Sequence, residues 1–302
     1  MVIFSDENAD RMWRLQRGRR LITRATAYFL LATLVFMGGL IFSGIRWIET
    51  ALTFHPERWK PGDRWELPQG GEEVWLTTSD GLRLHGWFIN SRQRPSTATV
   101  IFFHGNGGNI NGLGWLGEEL AGRGFDVLLF DYRGYGRSEG SLAGEQGIYR
   151  DADAAYDYVL HERGISPGRL VLYGQSLGTT AVADVASRRE VGAIILESGL
   201  SSASDMAASM FPWLPRRLRS LGENRFESAR KLSSVRCPVL VTHNDPDPTI
   251  PTDQGRKLYE AANEPKKLII IPGAGHGVCG SGGPRYLDTV AGFMREAVQA
   301  GS

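Results

Sequence analysis

Fifteen consecutive residues, Arg169 to Ala183, carry two periodicities that must meet at a single turn. Leu170 to Tyr173 is a short apolar run with strand character. Leu177 to Ser187 is rich in alanine and other small residues at helical spacing. Between them stands Gly174-Gln175-Ser176-Leu177-Gly178, a G-x-S-x-G pattern. A strand that turns directly into a helix brings backbone against backbone, so a β-carbon at either flank would collide and glycine is needed there. The serine is then held in a strained, outward pose. The pattern recurs at Gly136-Arg137-Ser138-Glu139-Gly140, but no strand leads directly into that copy and no helix starts at Ser138. Ser138 therefore reads as a loop serine, and Ser176 as the residue the chain is built around.

The same alternation continues along the chain. Val74–Thr77 and Leu82–Ile89 flank Ser79-Asp80-Gly81, a hairpin signal. Strand-like runs follow at Thr99–Phe103, Asp126–Phe130, Gly192–Leu196, Pro238–Thr242 and Lys267–Ile271. Helical patterns fall near Gly112–Gly122, Gln146–Arg163, Thr252–Ala262 and Arg285–Gln299, and residues 200–235 interrupt the alternation. Continuous apolar strands separated by helices predict a mostly parallel sheet covered on both faces.

The N-terminus is different in kind. Arg11, Arg14, Arg17, Arg19, Arg20 and Arg24 precede Ala25 to Ile45, a run of 21 residues without a charge. At ~1.5 Å per residue the run covers about 30 Å, the thickness of a bilayer core. Tyr28 and Trp47 fall where interfacial aromatics sit. A core helix of this apolar length is out of place at an N-terminus. A signal-peptide core is usually ~7–15 residues with a small-residue cleavage site, and none is evident after Ile45. The reading is one uncleaved transmembrane helix, with residues 1–50 as basic tail and anchor and 51–302 as one domain. Arginines crowd one flank, whereas Arg46 and Glu49 nearly cancel on the other, which predicts a cytosolic N-terminus and an extracytosolic domain. That side is periplasmic if the chain is bacterial, as its excess of arginine over lysine suggests. Residues 51–71, with Pro56, Pro61, Pro68 and Gly70-Gly71, read as a connecting segment whose Trp59 and Trp65 lie against the domain or the lipid surface.

Several function classes drop out. The net charge of +1 and the lack of a basic, aromatic-interleaved patch give no case for nucleic acid. No C-x-x-C, H-E-x-x-H, EF-hand loop or P-loop occurs, so neither a metal nor a cofactor is indicated. Gly275-His276-Gly277-Val278-Cys279-Gly280 matches G-x-G-x-x-G, but too little chain follows for a complete βαβ unit. The two cysteines, Cys237 and Cys279, would lie at opposite ends of the sheet, about a strand length (~17–20 Å) apart. A disulfide needs Cα atoms within roughly 7 Å, so both are expected free.

In a sheet of this kind functional residues collect at the carboxyl ends of the strands. His104, Asp131, Ser176, Glu197, the His243–Asp247 loop and His276 all fall there. A serine hydroxyl becomes a useful nucleophile only with a base, and an imidazole base needs a carboxylate to fix its tautomer. Of six histidines, His55 lies in the juxtamembrane segment, His161 near a helix end and His85 inside an early strand. His104 reads as a brace for its glycine-rich loop, and His243 as a structural residue ending its strand. His276, in the loop Pro272-Gly-Ala-Gly-His276-Gly277, can cross the top of the sheet and is the candidate base. Asp247 is the preferred acid, set among Pro246, Pro248 and Pro251, with Asp245 and more weakly Glu197 as competitors. The order Ser176…Asp247…His276 is that of the α/β-hydrolases. The N–H groups of Leu177 and Asn106, or alternatively Gly107, are the expected oxyanion donors.

Six pieces carry a resemblance. They are His104-Gly-Asn-Gly-Gly-Asn109, Asp131-Tyr-Arg-Gly-Tyr-Gly-Arg-Ser-Glu-Gly140, Gly174-Gln-Ser-Leu-Gly178, Cys237-Pro-Val-Leu-Val241, the Asp247…Pro251 turn and Gly275-His276-Gly277. Spread over about residues 72–280, they resemble the α/β-hydrolases, in particular membrane-anchored serine hydrolases with an H-G-N-x-G-N loop. The resemblance implies an α/β-hydrolase fold: a mostly parallel eight-stranded sheet, helices on both faces and a small helical cap, here at about 200–235, preceded by one transmembrane helix. It also implies that Asp131 and Arg133 brace the loop. One departure stands in the acid turn, where Asn244 replaces the usual glycine; alignment still places Asp247 on the acid. In the cap, Met206, Met210, Phe211, Trp213 and Leu214 precede Arg216-Arg-Leu-Arg219, which reads either as an acyl-binding lid near the bilayer or as an amphipathic cap packed on the body. The expected activity is hydrolysis of a carboxylic ester or thioester, with lipid or acyl substrates favoured. A serine peptidase on the same fold and a non-catalytic membrane-bound interaction protein are the alternatives.

Overall fold

Apolar runs that alternate with helices close into one sheet because each strand finds a neighbour and each helix returns over a face. The strands are β1 (Gly71–Thr77), β2 (Arg83–Ile89), β3 (Ala98–Phe103), β4 (Phe125–Phe130), β5 (Leu170–Gln175), β6 (Ala193–Glu197), β7 (Val239–Asp245) and β8 (Lys266–Pro272). Their spatial order is β8-β7-β6-β5-β3-β4-β2-β1. β1 and β2 form an antiparallel hairpin and β2 is antiparallel to β4, whereas the other neighbours are parallel. The sheet is therefore mixed, with β2 alone reversed. This computed structural model describes residues 53–300 apart from 220, 221 and 274, together with the isolated positions 28, 33, 36, 37 and 39. The chain divides into two units between Glu49 and Thr50, and the whole sheet belongs to the second. Apart from those isolated positions, the transmembrane helix expected over 25–45 lies outside the described residues; among the described residues no helix is long and apolar enough to cross a membrane.

The helices are α1 (Gly114–Gly122), α2 (Gly144–Asp157), α3 (Gly178–Arg188), α4 (Ala203–Met210), α5 (Arg216–Arg219), α6 (Ser228–Leu232), α7 (Thr252–Ala261) and α8 (Val278–Ala300). Side chains alternate across the sheet, so neighbouring strand residues enter different cores. Ile101, Phe103, Leu128, Phe130 and Leu172 pack with Ile148, Ala152 and Ala155 of α2 and with Val182 and Val185 of α3. Val100, Phe102, Val127, Leu129 and Val171 pack with Leu116 and Leu120 of α1 and with Leu287, Val290 and Met294 of α8. Each fully buried large side chain contributes about 1.5–3 kcal/mol relative to exposure. β1, at one edge, alternates buried and open positions.

Three boundaries differ from the sequence expectation. β7 continues past Thr242 to Asp245, because Asn244 and Asp245 pair with Ile271 and Pro272 of β8. The α-helix expected to reach Arg163 ends at Asp157 and passes into a wider π turn over Tyr158–Glu162. The last helix begins at Val278 and breaks at Gly283 (φ 59°), just before Pro284, whose ring cannot sit in a helix interior. Residues 200–235 hold α4, α5 and α6. Here Met206 packs on the core, whereas Met210, Phe211 and Trp213 are exposed and the Phe211 and Trp213 rings meet edge to face. Trp65 lies against His85 and Trp87, so it is spent on the domain, whereas Trp59 is partly exposed under the Arg137 guanidinium. Cys237 is a free thiol, pushed up to about 12 by burial; the side chain of Cys279 lies outside the described residues.

Candidate active site

The turn between β5 and α3 is as tight as the glycines require. A β-carbon on Gly178 would lie 1.9 Å from the carbonyl oxygen of Phe103, and one on Gly174 would lie 2.7 Å from the Gly178 backbone. Ser176 itself sits at φ 53°, the left-handed region that a side chain makes costly, by about 1–3 kcal/mol. Its N–H donates to the carbonyl of Glu197 at 2.8 Å, and its carbonyl accepts from Thr179, so the backbone around it is fixed.

Two further strand ends bring partners to its hydroxyl. His276 Nε2 lies 2.9 Å from Ser176 Oγ. His276 Nδ1 lies 2.9 Å from Asp247 Oδ2 and 3.2 Å from Oδ1. An ionised carboxylate only accepts, so Nδ1 carries the proton toward Asp247 and Nε2 is left to accept from the serine O–H. Asp247 Oδ1 also accepts from the N–H groups of Thr249 and Ile250, at 2.8 and 3.0 Å. His243 Nε2 donates to the carbonyl of Ile250 at 2.8 Å and stands 3.4 Å from Asp247 Oδ2. Burial alone would raise the Asp247 carboxyl. The bonds from His243, His276 and the Ile250 and Thr249 N–H groups outweigh it and hold the group well below the usual carboxylate range. A hydroxyl, imidazole and carboxylate in this order can remove the serine proton and stabilise the imidazolium that results.

The competing acids stand elsewhere. Asp245 is exposed and bonds Thr252 Oγ1 at 3.3 Å. Glu197 is fully buried and faces Tyr173, Tyr286 and Gln175. Ser138, the serine of the second pattern, donates to the Asp131 carbonyl at 2.6 Å and accepts from the His85 N–H at 2.9 Å. It is a buried splice between the loop and β2. His104 is buried against Tyr132 and Tyr135, with its Nδ1 2.7 Å from the carbonyl of Gly105; burial lowers its pKa despite Asp131 nearby.

The loop after β3 passes close to the serine. A β-carbon on Gly105 would lie 3.5 Å from Ser176 Cβ. Asn106 is tied from several sides: its carbonyl accepts from the His55 N–H and from Tyr135, and its side chain donates to the Thr53 carbonyl. His55–Pro56 runs parallel to Gly107–Gly108 as a two-residue ladder, so the segment entering the domain braces this loop, which no sequence motif signals. Among the described residues the N–H groups of Leu177 and Asn106 bond no protein acceptor. At Leu177 this follows from its place at the start of α3, where the first N–H groups have no partner within the helix. Asp131 braces the same loop through the Ile110 N–H, whereas Arg133 is directed elsewhere, joining Asp151 of α2 to Asp80 of the hairpin. Among the described residues no cluster of histidine, cysteine or acidic side chains is arranged to hold a metal ion.

Residues 94–231 match the family model described as serine aminopeptidase, S33. The uncharacterised protein YfhR of Escherichia coli K12 is 38% identical over 217 residues, which cover 69% of this chain and 74% of YfhR. The uncharacterised protein Rv2307c of Mycobacterium tuberculosis H37Rv is 36% identical over 206 residues, covering 68% and 72% respectively. Among solved structures, the Pyrococcus furiosus esterase Pf2001 superposes with a TM-score of 0.63 at 22% identity, over 81% of this chain and 99% of the esterase. A puromycin-hydrolysing peptidase of Mycobacterium tuberculosis superposes with a TM-score of 0.60 at 21% identity, over 76% of this chain and 39% of the peptidase. At these identities the solved structures speak for the fold. With the elbow and the sheet order, the chain has an α/β-hydrolase fold, and it belongs to one family with the YfhR-type proteins.

Proposed function

We propose that the chain is a membrane-anchored serine hydrolase that cleaves carboxylic ester or thioester bonds. The observation that carries this reading is His276, placed 2.9 Å from both Ser176 Oγ and Asp247 Oδ2. Ser176 Oγ attacks the substrate carbonyl as His276 Nε2 takes its proton. The imidazolium, held by Asp247, returns that proton to the leaving group. The N–H groups of Leu177 and Asn106 receive the charge on the carbonyl oxygen, and losing one such donor costs roughly 10²–10³ in rate. Water, activated by the same histidine, then releases the acyl group. Lipid or acyl esters are the favoured substrates, because exposed Met210, Phe211 and Trp213 on the cap offer apolar surface beside a basic stretch. Residues 25–45 supply the anchor, with the N-terminus cytosolic and the domain on the far side.

Active-site labelling with a fluorophosphonate tests the core of this reading. The wild type is expected to label and Ser176→Ala to remain unlabelled; an unlabelled wild type, or equal labelling of both, refutes it. A panel of p-nitrophenyl esters graded by chain length then reads acyl preference. A second reading, peptide-bond hydrolysis, is favoured by the serine aminopeptidase family model over residues 94–231. Aminoacyl p-nitroanilides in the same panel discriminate the two. Protease accessibility in sealed vesicles reports the side on which the domain lies.

A further inference from the structure

A fully buried carboxylate, Glu197 at the end of β6, stands outside the proton relay yet touches the elements that carry it. Its Oε1 accepts from Gln175 Nε2 at 2.8 Å, and Gln175 is the residue immediately before Ser176. Its own carbonyl accepts the Ser176 N–H. Its Oε2 accepts from the Tyr173 hydroxyl of β5 and, at 2.9 Å, from the Tyr286 hydroxyl of α8, the helix that follows the His276 loop. Tyr286 Oη in turn lies 2.9 Å from Thr242 Oγ1, on the strand that leads to Asp247. A hydroxyl has one proton, so with Tyr286 donating to Glu197, Thr242 must donate to Tyr286. The chain of donors thus runs Thr242 to Tyr286 to Glu197, and β7, α8 and β6 are joined through it. The His276 loop passes close to the same cluster at Gly277. Gly277 sits at φ 94°, and a β-carbon there would lie 2.9 Å from Gln175 Nε2 and 3.8 Å from Glu197 Oε1.

We propose that Glu197 is a positioning residue that holds Ser176, Asp247 and His276 in register by binding groups on the segments that bear all three. This rests on the hydrolase reading of the site. Glu197 touches no reacting atom; it acts through Gln175, Tyr286 and the packing of Gly277. The carboxylate matters because an acceptor-only group can receive Tyr173, Tyr286 and Gln175 together. An amide offers one oxygen and two donors, so Glu197→Gln sets a donor against either a tyrosine hydroxyl or the Gln175 amide unless Gln175 turns over. Tyr286→Phe keeps the ring and the buried carboxylate but removes the hydroxyl, and with it the bond to Glu197 and the contacts with Thr242 and Tyr173.

The test uses the full chain, with the rate of fluorophosphonate labelling of Ser176, kcat and KM on a p-nitrophenyl ester, and the low-field proton resonance of His276 Nδ1–H against Asp247. Both variants are expected to fold with cooperative melting. Tyr286→Phe and Glu197→Gln are expected to lose about 10-fold in labelling rate and in kcat, with KM unchanged, since sub-ångström misplacement of reacting groups costs on this scale. The resonance is expected to shift in both. Variants that fold, label at the wild-type rate and keep the wild-type resonance overturn the proposal. If Glu197→Gln fails to fold, Tyr286→Phe decides alone. A wild type that does not label refutes the hydrolase reading instead, and the resonance then still reports whether Glu197 sets the placement of His276.

Discussion

Asp247→Asn reduces the proposed mechanism to the choice of one tautomer. Asp247 Oδ1 is pinned by two backbone donors, Thr249 and Ile250, at 2.8 and 3.0 Å. An asparagine at this position keeps its oxygen there, because placing an NH₂ against two N–H groups would leave all of them unpaired. Its nitrogen therefore takes the place of Oδ2, 2.9 Å from His276 Nδ1. An amide nitrogen donates, so His276 must accept at Nδ1 and carry its proton at Nε2. That proton then faces Ser176 Oγ, and the base has no lone pair with which to take the serine proton. The geometry survives and the chemistry does not. The expected loss in kcat is about 10⁴-fold, the scale found when a triad carboxylate becomes an amide. Asp245→Asn is the matched control: among the described residues its exposed side chain bonds Thr252 and approaches Arg256 at 4.0 Å, so activity should stay within about two-fold. Steady-state ester hydrolysis, with circular dichroism to establish folding, reads both. An Asp247→Asn enzyme within ten-fold of wild type, or an Asp245→Asn enzyme as impaired as the other, would refute the assignment.

Other substitutions separate shape from chemistry. Gly178→Ala places a methyl 1.9 Å from the Phe103 carbonyl oxygen, a contact that only backbone movement can relieve, so the elbow should shift and labelling of Ser176 should be lost. Ser138→Ala unpairs the buried His85 N–H, which should lower the unfolding free energy by about 1–3 kcal/mol in urea while leaving labelling intact. Acid titration should expose Asp247. Its folded-state pKa lies below the ordinary value of 3.8, so the stabilisation it brings is present in full above that value and is lost as pH falls through the folded one. The melting temperature of wild type should therefore fall more steeply below about pH 4 than that of Asp247→Asn.

The strand, turn and helix around Ser176 were legible because each is a local pattern. The apolar run, the paired glycines and the small-residue helix lie within fifteen residues of one another. Chain order then ranked His276 and Asp247, since the ends of parallel strands converge whatever their sequence separation. What remained open was decided by side-chain direction. Asp245 and Asp247 are two residues apart, yet β7 extends to Asp245 through its pairing with β8. That pairing leaves Asp245 exposed, and the following turn carries Asp247 to His276. The two G-x-S-x-G copies were already separated by their flanking sequence; the packing of Ser138 between Asp131 and His85 adds where its hydroxyl is spent.

Sequence by itself determined the alternation of strands and helices, the glycines of the elbow and the order of Ser176, Asp247 and His276, because these depend on neighbours in the chain and on sterics at single residues. Tertiary structure decided which acid meets the histidine, how His55 and Thr53 brace the loop at Asn106, and how Glu197 gathers Tyr173, Gln175 and Tyr286 into one buried cluster. Those contacts join residues far apart in the chain, and no periodicity or motif encodes a hydrogen bond that exists only once the sheet has closed.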